Sequence, residues 1–395
     1  MNMIYWLAVG AFAVGTEAFM ISAILPEISA DLTVSLQSAG QLVAIFSFSY
    51  AISSPILTAL TAAFDRRKVL IWSMLVFAIT NAFAAMAPSY KALVVARVLL
   101  AFSAGLYVPG ANALAGALAP HAQRGRALAI VTGGISAAVA LGVPLGAFIG
   151  GRYGWQATFA AVALLSMVAL AGLLVGLPRG VGSGLAVATL HHRLTVTRQE
   201  RVLPALLTTT LWATGAYTVY TFIAPYLSRV LKLTGPSIGY VLFLYGAAAF
   251  LGLLFGGTAS DRVGARRVIV AALSVMAAAL ASLSVWPGYL SPVQALAPVL
   301  ISVVAWGFTA WGFFPAQQSL LLDIAGLNVA PIILSLNASF MYLGFALGAT
   351  AGSITLSHGG VADLGTVAAA FVLGSLSLFL FANSAQRTGV QHQHP

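Results

Sequence analysis

Glu17 is the only carboxylate inside the long apolar stretches of this 395-residue chain, and it lies within the first of them, Ile4 to Leu25. A charge at bilayer depth costs at least ~2.5–3.5 kcal/mol on insertion scales, so a chain that keeps one is expected to use it. Burial disfavours the ionised form of a carboxylate, which points to a group that takes up and releases a proton. The alternative role is structural, an ion pair holding helices together. Arg97 is the other charge at depth, about four residues into its own stretch, or about 6 Å at 1.5 Å per residue. An arginine there could equally snorkel to the headgroups.

Around these charges the apolar stretches carry phenols, indoles and amides: Tyr50, Tyr107, Asn112, Ser136, Tyr217, Tyr220, Tyr245, Trp306, Gln317, Gln318, Asn337 and Tyr342. Such groups suit the hydroxyls and ring faces of an uncharged ligand, and each could instead make an interhelical hydrogen bond. Asn112 and Gln318 each follow a proline by three residues, Pro109 and Pro315, so a pair of amides facing one another at the midplane is expected. The six histidines fall in loops or the tail and the chain has no cysteine, which leaves no metal set, disulfide or thiolate chemistry. No phosphate loop and no Ser/His/Asp set is present, so neither a cofactor nor an enzymatic reaction is expected.

The elements that must position these residues follow from composition. Hydrophobic residues make up 60% and charged ones 7%, against about 25% charged in a soluble domain. Apolar runs of membrane-spanning length occur twelve times, at 4–25, 40–62, 69–88, 93–118, 126–150, 155–177, 203–226, 238–257, 267–286, 295–319, 331–355 and 365–384. The opening MNMIYWLAVG has no basic leader and reads as the first span rather than a cleaved signal. The net charge of +10 is not gathered into a patch for nucleic acid. With both termini inside, all but five of the 18 Lys and Arg, namely Lys91, Arg97, Arg152, Arg229 and Lys232, lie on the cytoplasmic side.

The chain also repeats itself. Ile24-Leu25-Pro26 matches Ile223-Ala224-Pro225, and Arg67-Lys68-Val69 matches Arg266-Arg267-Val268 at the same offset. Phe102 and Pro109 match Phe308 and Pro315, and Gly142, Gly146 and Gly150 match Gly344, Gly348 and Gly352, at nearly that offset. A duplicated unit of six spans is expected, residues 1–177 and 203–395, joined by a cytoplasmic linker over 178–202. Glu17 and Arg97 have only Ala216 and Val303 opposite them, so the first half is expected to handle the proton and the second to shape the ligand site. Parallel halves with the ligand between them are a standard transporter plan.

The motifs Gly15-Thr16-Glu17-Ala18-Phe19, Leu25-Pro26-Glu27-Ile28, Arg97-Val98-Leu99, Arg124-Gly125-Arg126-Ala127-Leu128-Ala129, Leu141-Gly142-Val143-Pro144-Leu145-Gly146 and Gly154-Trp155-Gln156-Ala157-Thr158-Phe159 resemble those of the major facilitator superfamily. More narrowly they resemble its twelve-span drug:H+ antiporters of the bacterial sugar-efflux and chloramphenicol-efflux type. The resemblance implies an all-α membrane protein and a proton role for Glu17 and Arg97. It implies an antiporter role for Gly142, Pro144 and Gly146, which could also be plain close packing. It further implies a gating loop at Gly256 to Arg267, with Asp261 capping a helix start and Arg262 beside it. The first-half copy departs, with Asp65 and Arg66 following Ala62 where an acid is usual; both loops could simply be positive-inside anchors.

The expected protein is a monomeric secondary exporter of the bacterial inner membrane, exchanging a small neutral or amphipathic molecule such as a sugar or drug for protons. Uptake by symport or uniport is the alternative, against which the Gly142–Gly146 motif speaks. A non-transporting sensor would be expected to carry a large soluble domain, and the longest hydrophilic segment is the linker.

Overall fold

The computed structural model describes residues 2–61, 63–120, 123–178, 190–326 and 329–390, and among them there is helix and no strand. Lipid offers backbone groups no hydrogen bonds, so a chain this apolar must satisfy them within helices. The helices are α1 (Asn2–Met20), α2 (Leu25–Asp31), α3 (Leu36–Leu60), α4 (Arg66–Ala85), α5 (Tyr90–Leu118), α6 (Arg124–Ala137), α7 (Val143–Tyr153) and α8 (Trp155–Gly176). After these come α9 (Leu190–Thr197), α10 (Val202–Tyr220), α11 (Ile223–Val230), α12 (Pro236–Val263), α13 (Ala265–Tyr289), α14 (Pro292–Ala325), α15 (Ala330–His358) and α16 (Leu364–Val390). Eleven helical stretches among the described residues are long and apolar enough to cross a membrane. The expected span not among them is the seventh, α10, 19 residues long. Its threonines make it more polar, and Thr208, Thr210, Thr214 and Thr218 each return the hydroxyl proton to the carbonyl four residues back, which suits them to an apolar setting.

The local rules of the sequence set the breaks. Pro26 and Pro225 sit in the first turns of α2 and α11, so the repeated Ile-x-Pro landmark marks a long helix that stops and restarts. Ser35, Asp65 and Ser89 cap α3, α4 and α5 by accepting from the backbone N–H three residues on. The run at 126–150 is not one regular helix. Pro144 has no N–H for the carbonyl of Ala140, and a π-helical turn, Ala138–Gly142, separates α6 from α7. Gly264, at φ +87°, joins α12 directly to α13.

The helices pack in two kinds of contact. Small residues let backbones meet: a Cβ added at Gly252 would stand 2.0 Å from the Phe308 carbonyl oxygen, binding α12 to α14. Long seams join distant parts of the chain, α3 against α15 and α12 against α7 and the π-turn. Large apolar side chains such as Trp72, Ile79, Leu164, Val175, Leu254 and Ile301 remain exposed, as helices facing hydrocarbon require. Residues 179–189 of the expected linker lie outside the described residues, as do Ala62, His121, His392 and His394.

Candidate functional site

Glu17 on α1 and Arg97 on α5 are both 0% exposed and form an ion pair through Oε1 and Nη1. Arg97 does not snorkel. It lies two turns into α5 on the face turned to α1 and α3, its Nε donates to the Leu42 carbonyl at 3.2 Å, and its guanidinium lies 4.2 Å over the Phe46 ring. Glu17 Oε2 and Arg97 Nη2 have no hydrogen-bond partner. The pair is therefore incompletely satisfied, with one carboxylate oxygen and one guanidinium nitrogen free to take another group. Tyr342 lies within electrostatic reach of both charges, and its ring stacks on Tyr50 at 3.8 Å between centroids.

Two residues beyond Glu17, Phe19 enters the wall of a small cavity of about 20 Å³. Its other walls are Val139 from the π-turn, Trp212, Ala216, Tyr217 and Tyr220 from α10, Tyr245 from α12, Ala310, Trp311 and Phe314 from α14, and Met341 and Phe345 from α15. The rings contact one another closely. Tyr217 stacks on Phe345 at 3.6 Å, Tyr245 meets Trp306 at 4.8 Å, and the Tyr220 hydroxyl donates to the Phe19 carbonyl at 3.5 Å. None of the described residues that line it is charged. A volume of this size admits about one water, so the rings leave little space between them.

Of the polar residues singled out in the sequence, Tyr217, Tyr220 and Tyr245 line this cavity, whereas Tyr50 and Tyr342 stack on one another behind the wall, where Tyr342 meets Phe345 edge-on. Gln317 and Asn337 are not in its wall but meet through Thr209, about one helical turn along from the wall residues Trp212, Phe314 and Met341. Tyr107 is fully buried with its hydroxyl donating to the Leu7 carbonyl at 3.2 Å, against α1 and away from the cavity wall. Asn112 donates to Val108 and Ser136 to Thr132, each on its own helix, and Gln318 is half-buried on α14 beside Gln317. The cavity residues that the sequence reading missed, among them Phe19, Trp212, Trp311, Phe314, Met341 and Phe345, are apolar or aromatic and carry no local signal apart from helical spacing around the tyrosines.

At one end of the bundle α3, α10 and α15 are locked together. The Phe222 ring fits between two glycines, where an added Cβ would stand 2.3 Å away at Gly40 and 2.7 Å away at Gly352. Gln37 Nε2 donates to the Leu356 carbonyl at 3.1 Å, and Ser353 Oγ donates to the Gln37 carbonyl at 3.2 Å. At the opposite end an apolar cluster of Val196, Val202, Leu206, Leu321, Ile332 and Ile333 joins α9, α10, α14 and α15.

The Major Facilitator Superfamily model matches residues 7–349, with a second match over 205–392. The chain belongs to this superfamily. Among its relatives it is similar to the uncharacterised MFS-type transporter YbcL of Bacillus subtilis (strain 168), 34% identical over 381 residues that cover 96% of this chain and 95% of the relative. It is likewise similar to the chloramphenicol resistance protein of Streptomyces lividans, 34% identical over 68% of this chain and 69% of the relative. A solved bacterial homologue of the human lysosomal transporter Spinster, in an inward-facing and occupied conformation, shares the fold at TM-score 0.79, with 16% identity and 96% of each chain covered. The protein is a membrane-spanning transporter of the major facilitator type.

The superfamily motifs take definite positions. Gly142 and Gly146 face α1, where an added Cβ would stand 2.2 Å from Thr16 Oγ1 and 3.0 Å from Met20 Cβ. Across the π-turn, Gly246 of α12 abuts the Val139 carbonyl. The motif is a close-packed seam beside Glu17. In the Gly154-Trp155-Gln156 motif, Trp155 Nε1 and Gln156 Nε2 both donate to Asp31 Oδ2, at 2.9 and 2.8 Å. Asp65 caps α4, and Arg67 beside it donates to the Leu177 carbonyl at 2.6 Å. The second loop corrects the expectation. Asp261 and Arg262 lie in the exposed last turn of α12, and α13 is entered through Gly264 with no side-chain cap, so Asp261 does not cap a helix start. A single residue between the two helices leaves no loop for it to close.

Proposed function

We propose that this superfamily member is a proton-coupled exporter of the bacterial inner membrane, exchanging protons for a small neutral or amphipathic molecule by alternating access. The carrying observation is the buried Glu17–Arg97 pair placed two residues from a cavity wall of aromatic rings. In this reading the two units 1–177 and 203–395 are halves that rock about the cavity, joined by 178–202, with both termini cytoplasmic. The second family match beginning at residue 205 supports the duplication, and the charge bias supports the orientation.

The cycle follows from the groups present. In the ionised state Glu17 holds Arg97, and α1 is tied to α5. A proton arriving from outside neutralises the carboxylate and weakens that tie; its release inside restores it. With the termini inside, the Phe222 lock is the outer gate and it is closed, so the molecule can open to the cytoplasm to load. The chloramphenicol resistance relative supports an amphipathic, ring-bearing cargo, and the uncharged aromatic walls suit one.

The test is efflux from proteoliposomes of defined sidedness, with chloramphenicol as the probe and a pH gradient as the only energy source. Export against a probe gradient that reverses with the sign of the pH gradient is the expected result. Movement that only dissipates the probe gradient at every pH would overturn the coupling.

A further inference from the structure

One helical turn below the cavity lies a second tier. Thr209 precedes the cavity residue Trp212 by three residues, Gln317 follows Phe314 by three, and Asn337 precedes Met341 by four. At 3.6 residues per turn these three share the faces of the cavity residues, about 5 Å nearer the end where α10 begins. Gln317 and Asn337 are 0% exposed, as is Thr209.

Their hydrogen bonds have a fixed sense. Gln317 Nε2 lies 2.7 Å from the Ala205 carbonyl, which only accepts, so that atom is the amide nitrogen. It also lies 3.1 Å from Thr209 Oγ1, which accepts from it; the Thr209 proton has two acceptors in reach, Asn337 Oδ1 at 2.7 Å and the Ala205 carbonyl at 3.5 Å, and goes to the much nearer Asn337. The chain of donors ends there. Gln317 Oε1 is left an acceptor without a donor and Asn337 Nδ2 a donor without an acceptor, and Trp212 Nε1 in the cavity wall is likewise unpartnered. Beneath the tier lies the apolar cluster of Val202, Leu206, Leu321 and Ile333, and the buried Arg193 of α9 gives its Nη1 to Ser335 Oγ. A buried amide group left unmatched is costly, so this arrangement calls for a complement.

We infer that Gln317, Asn337 and Trp212 form the polar floor of the aromatic cavity and take the head of an uncharged aromatic ligand that carries a donor and an acceptor together, as a carboxamide does. The rings hold the body of the ligand, Asn337 Nδ2 and Trp212 Nε1 donate to its carbonyl, and Gln317 Oε1 accepts its N–H. The ligand enters when α10 and α14 part from α1 in the transport cycle. The inference rests on the aromatic cavity being the substrate site.

The experiment measures binding of two probes to the purified full-length protein in detergent by isothermal titration calorimetry. The probes are 2-naphthamide and methyl 2-naphthoate, which share ring and carbonyl and differ in the N–H donor. The wild-type protein is expected to bind the amide about tenfold more tightly, the effect of one buried acceptor left unmet by the ester. Gln317→Leu should erase that preference, and Asn337→Leu should weaken both probes alike. Equal affinity of the wild-type protein for the two probes would overturn the polar floor and leave the aromatic cavity in place. Binding of neither probe would remove the cavity reading and the floor with it. The wild-type comparison decides the matter even where a variant fails to fold.

Discussion

Replacing Glu17 by Gln removes the charge and keeps the shape, and the structure sets the size of two separate effects. Breaking a buried ion pair by removing one partner costs about 3–5 kcal/mol, because the remaining charge is stranded. Gln still offers Oε1 to Arg97, and one hydrogen bond to a charged group is worth about 1.5–3 kcal/mol. The Leu42 carbonyl and the Phe46 face continue to hold the guanidinium. The net loss of stability is therefore about 2 kcal/mol, and Glu17→Gln with Arg97→Gln should recover most of it. Transport responds differently. One proton exchanged per substrate carries about 1.4 kcal/mol per pH unit, which sustains about tenfold accumulation. Glu17→Gln should reduce that to equality across the membrane, with facilitated equilibration retained, and the double variant should restore stability without restoring accumulation. Proteoliposome efflux at several pH gradients, read beside thermal unfolding, measures both. Tenfold accumulation by Glu17→Gln would refute the argument. Attention would then move to Glu27, beyond the first span, whose carboxyl burial holds above the usual carboxylate range and whose Oε2 has no partner.

Gly142→Leu and Gly146→Leu drive a side chain into Thr16 and Met20; each should leave the protein inserted but abolish exchange or open a proton leak, read by collapse of a pH gradient in vesicles. Gly40→Leu displaces the Phe222 ring from its slot, so the gate proposed for the outer side should lose closure and a cysteine placed near it should react faster with an impermeant maleimide from outside. The chain has no cysteine of its own, so single cysteines report cleanly on topology: Ala63→Cys should label only from the cytoplasm and Ser291→Cys only from the periplasm, and the reverse pattern would invert the proposed orientation.

Much of the fold was legible because membrane helices announce themselves through length and apolarity. The one expected span that fell short of that signature in the structure, α10, did so because its threonines lower its hydropathy; four of them, Thr208, Thr210, Thr214 and Thr218, return the hydroxyl proton to their own helix, a compensation that a hydropathy count does not register. Glu17 and Arg97 were legible as isolated charges, but their meeting was left open, since the sequence says nothing of which helix faces turn together. The tyrosines of α10 and α12 were visible as polar atoms in apolar runs. Phe19, Trp311 and Phe345 were not, because an aromatic residue in a membrane helix looks the same whether it lines a cavity or faces lipid. The amide pairing expected between Asn112 and Gln318 rested on proline spacing alone, and Asn112 bonds its own helix instead.

Six consecutive residues of α1 connect the devices that exchange would require. A helix turns about 100° per residue, so neighbours on α1 face different partners. Gly15 and Thr16 press on Ala138 and Gly142 of the fifth span, Glu17 holds Arg97 of the fourth, Phe19 enters the aromatic cavity, and Met20 closes on Gly146. The helix then ends in a buried 3-10 turn, Ile21–Ala23, before α2 begins. On the proposed mechanism, protonation of Glu17 needs no long path to reach the substrate. Loosening α1 from α5 shifts the same rigid turns that carry Phe19, and Phe19 touches Tyr217, Tyr220, Trp311 and Phe345. The glycine seam sets how far that shift can go, since backbones packed this closely slide or rotate but cannot approach further. The position of the lone carboxylate, between a seam that limits motion and a ring that fills the cavity, is what would make one proton sufficient to change the shape of the binding site.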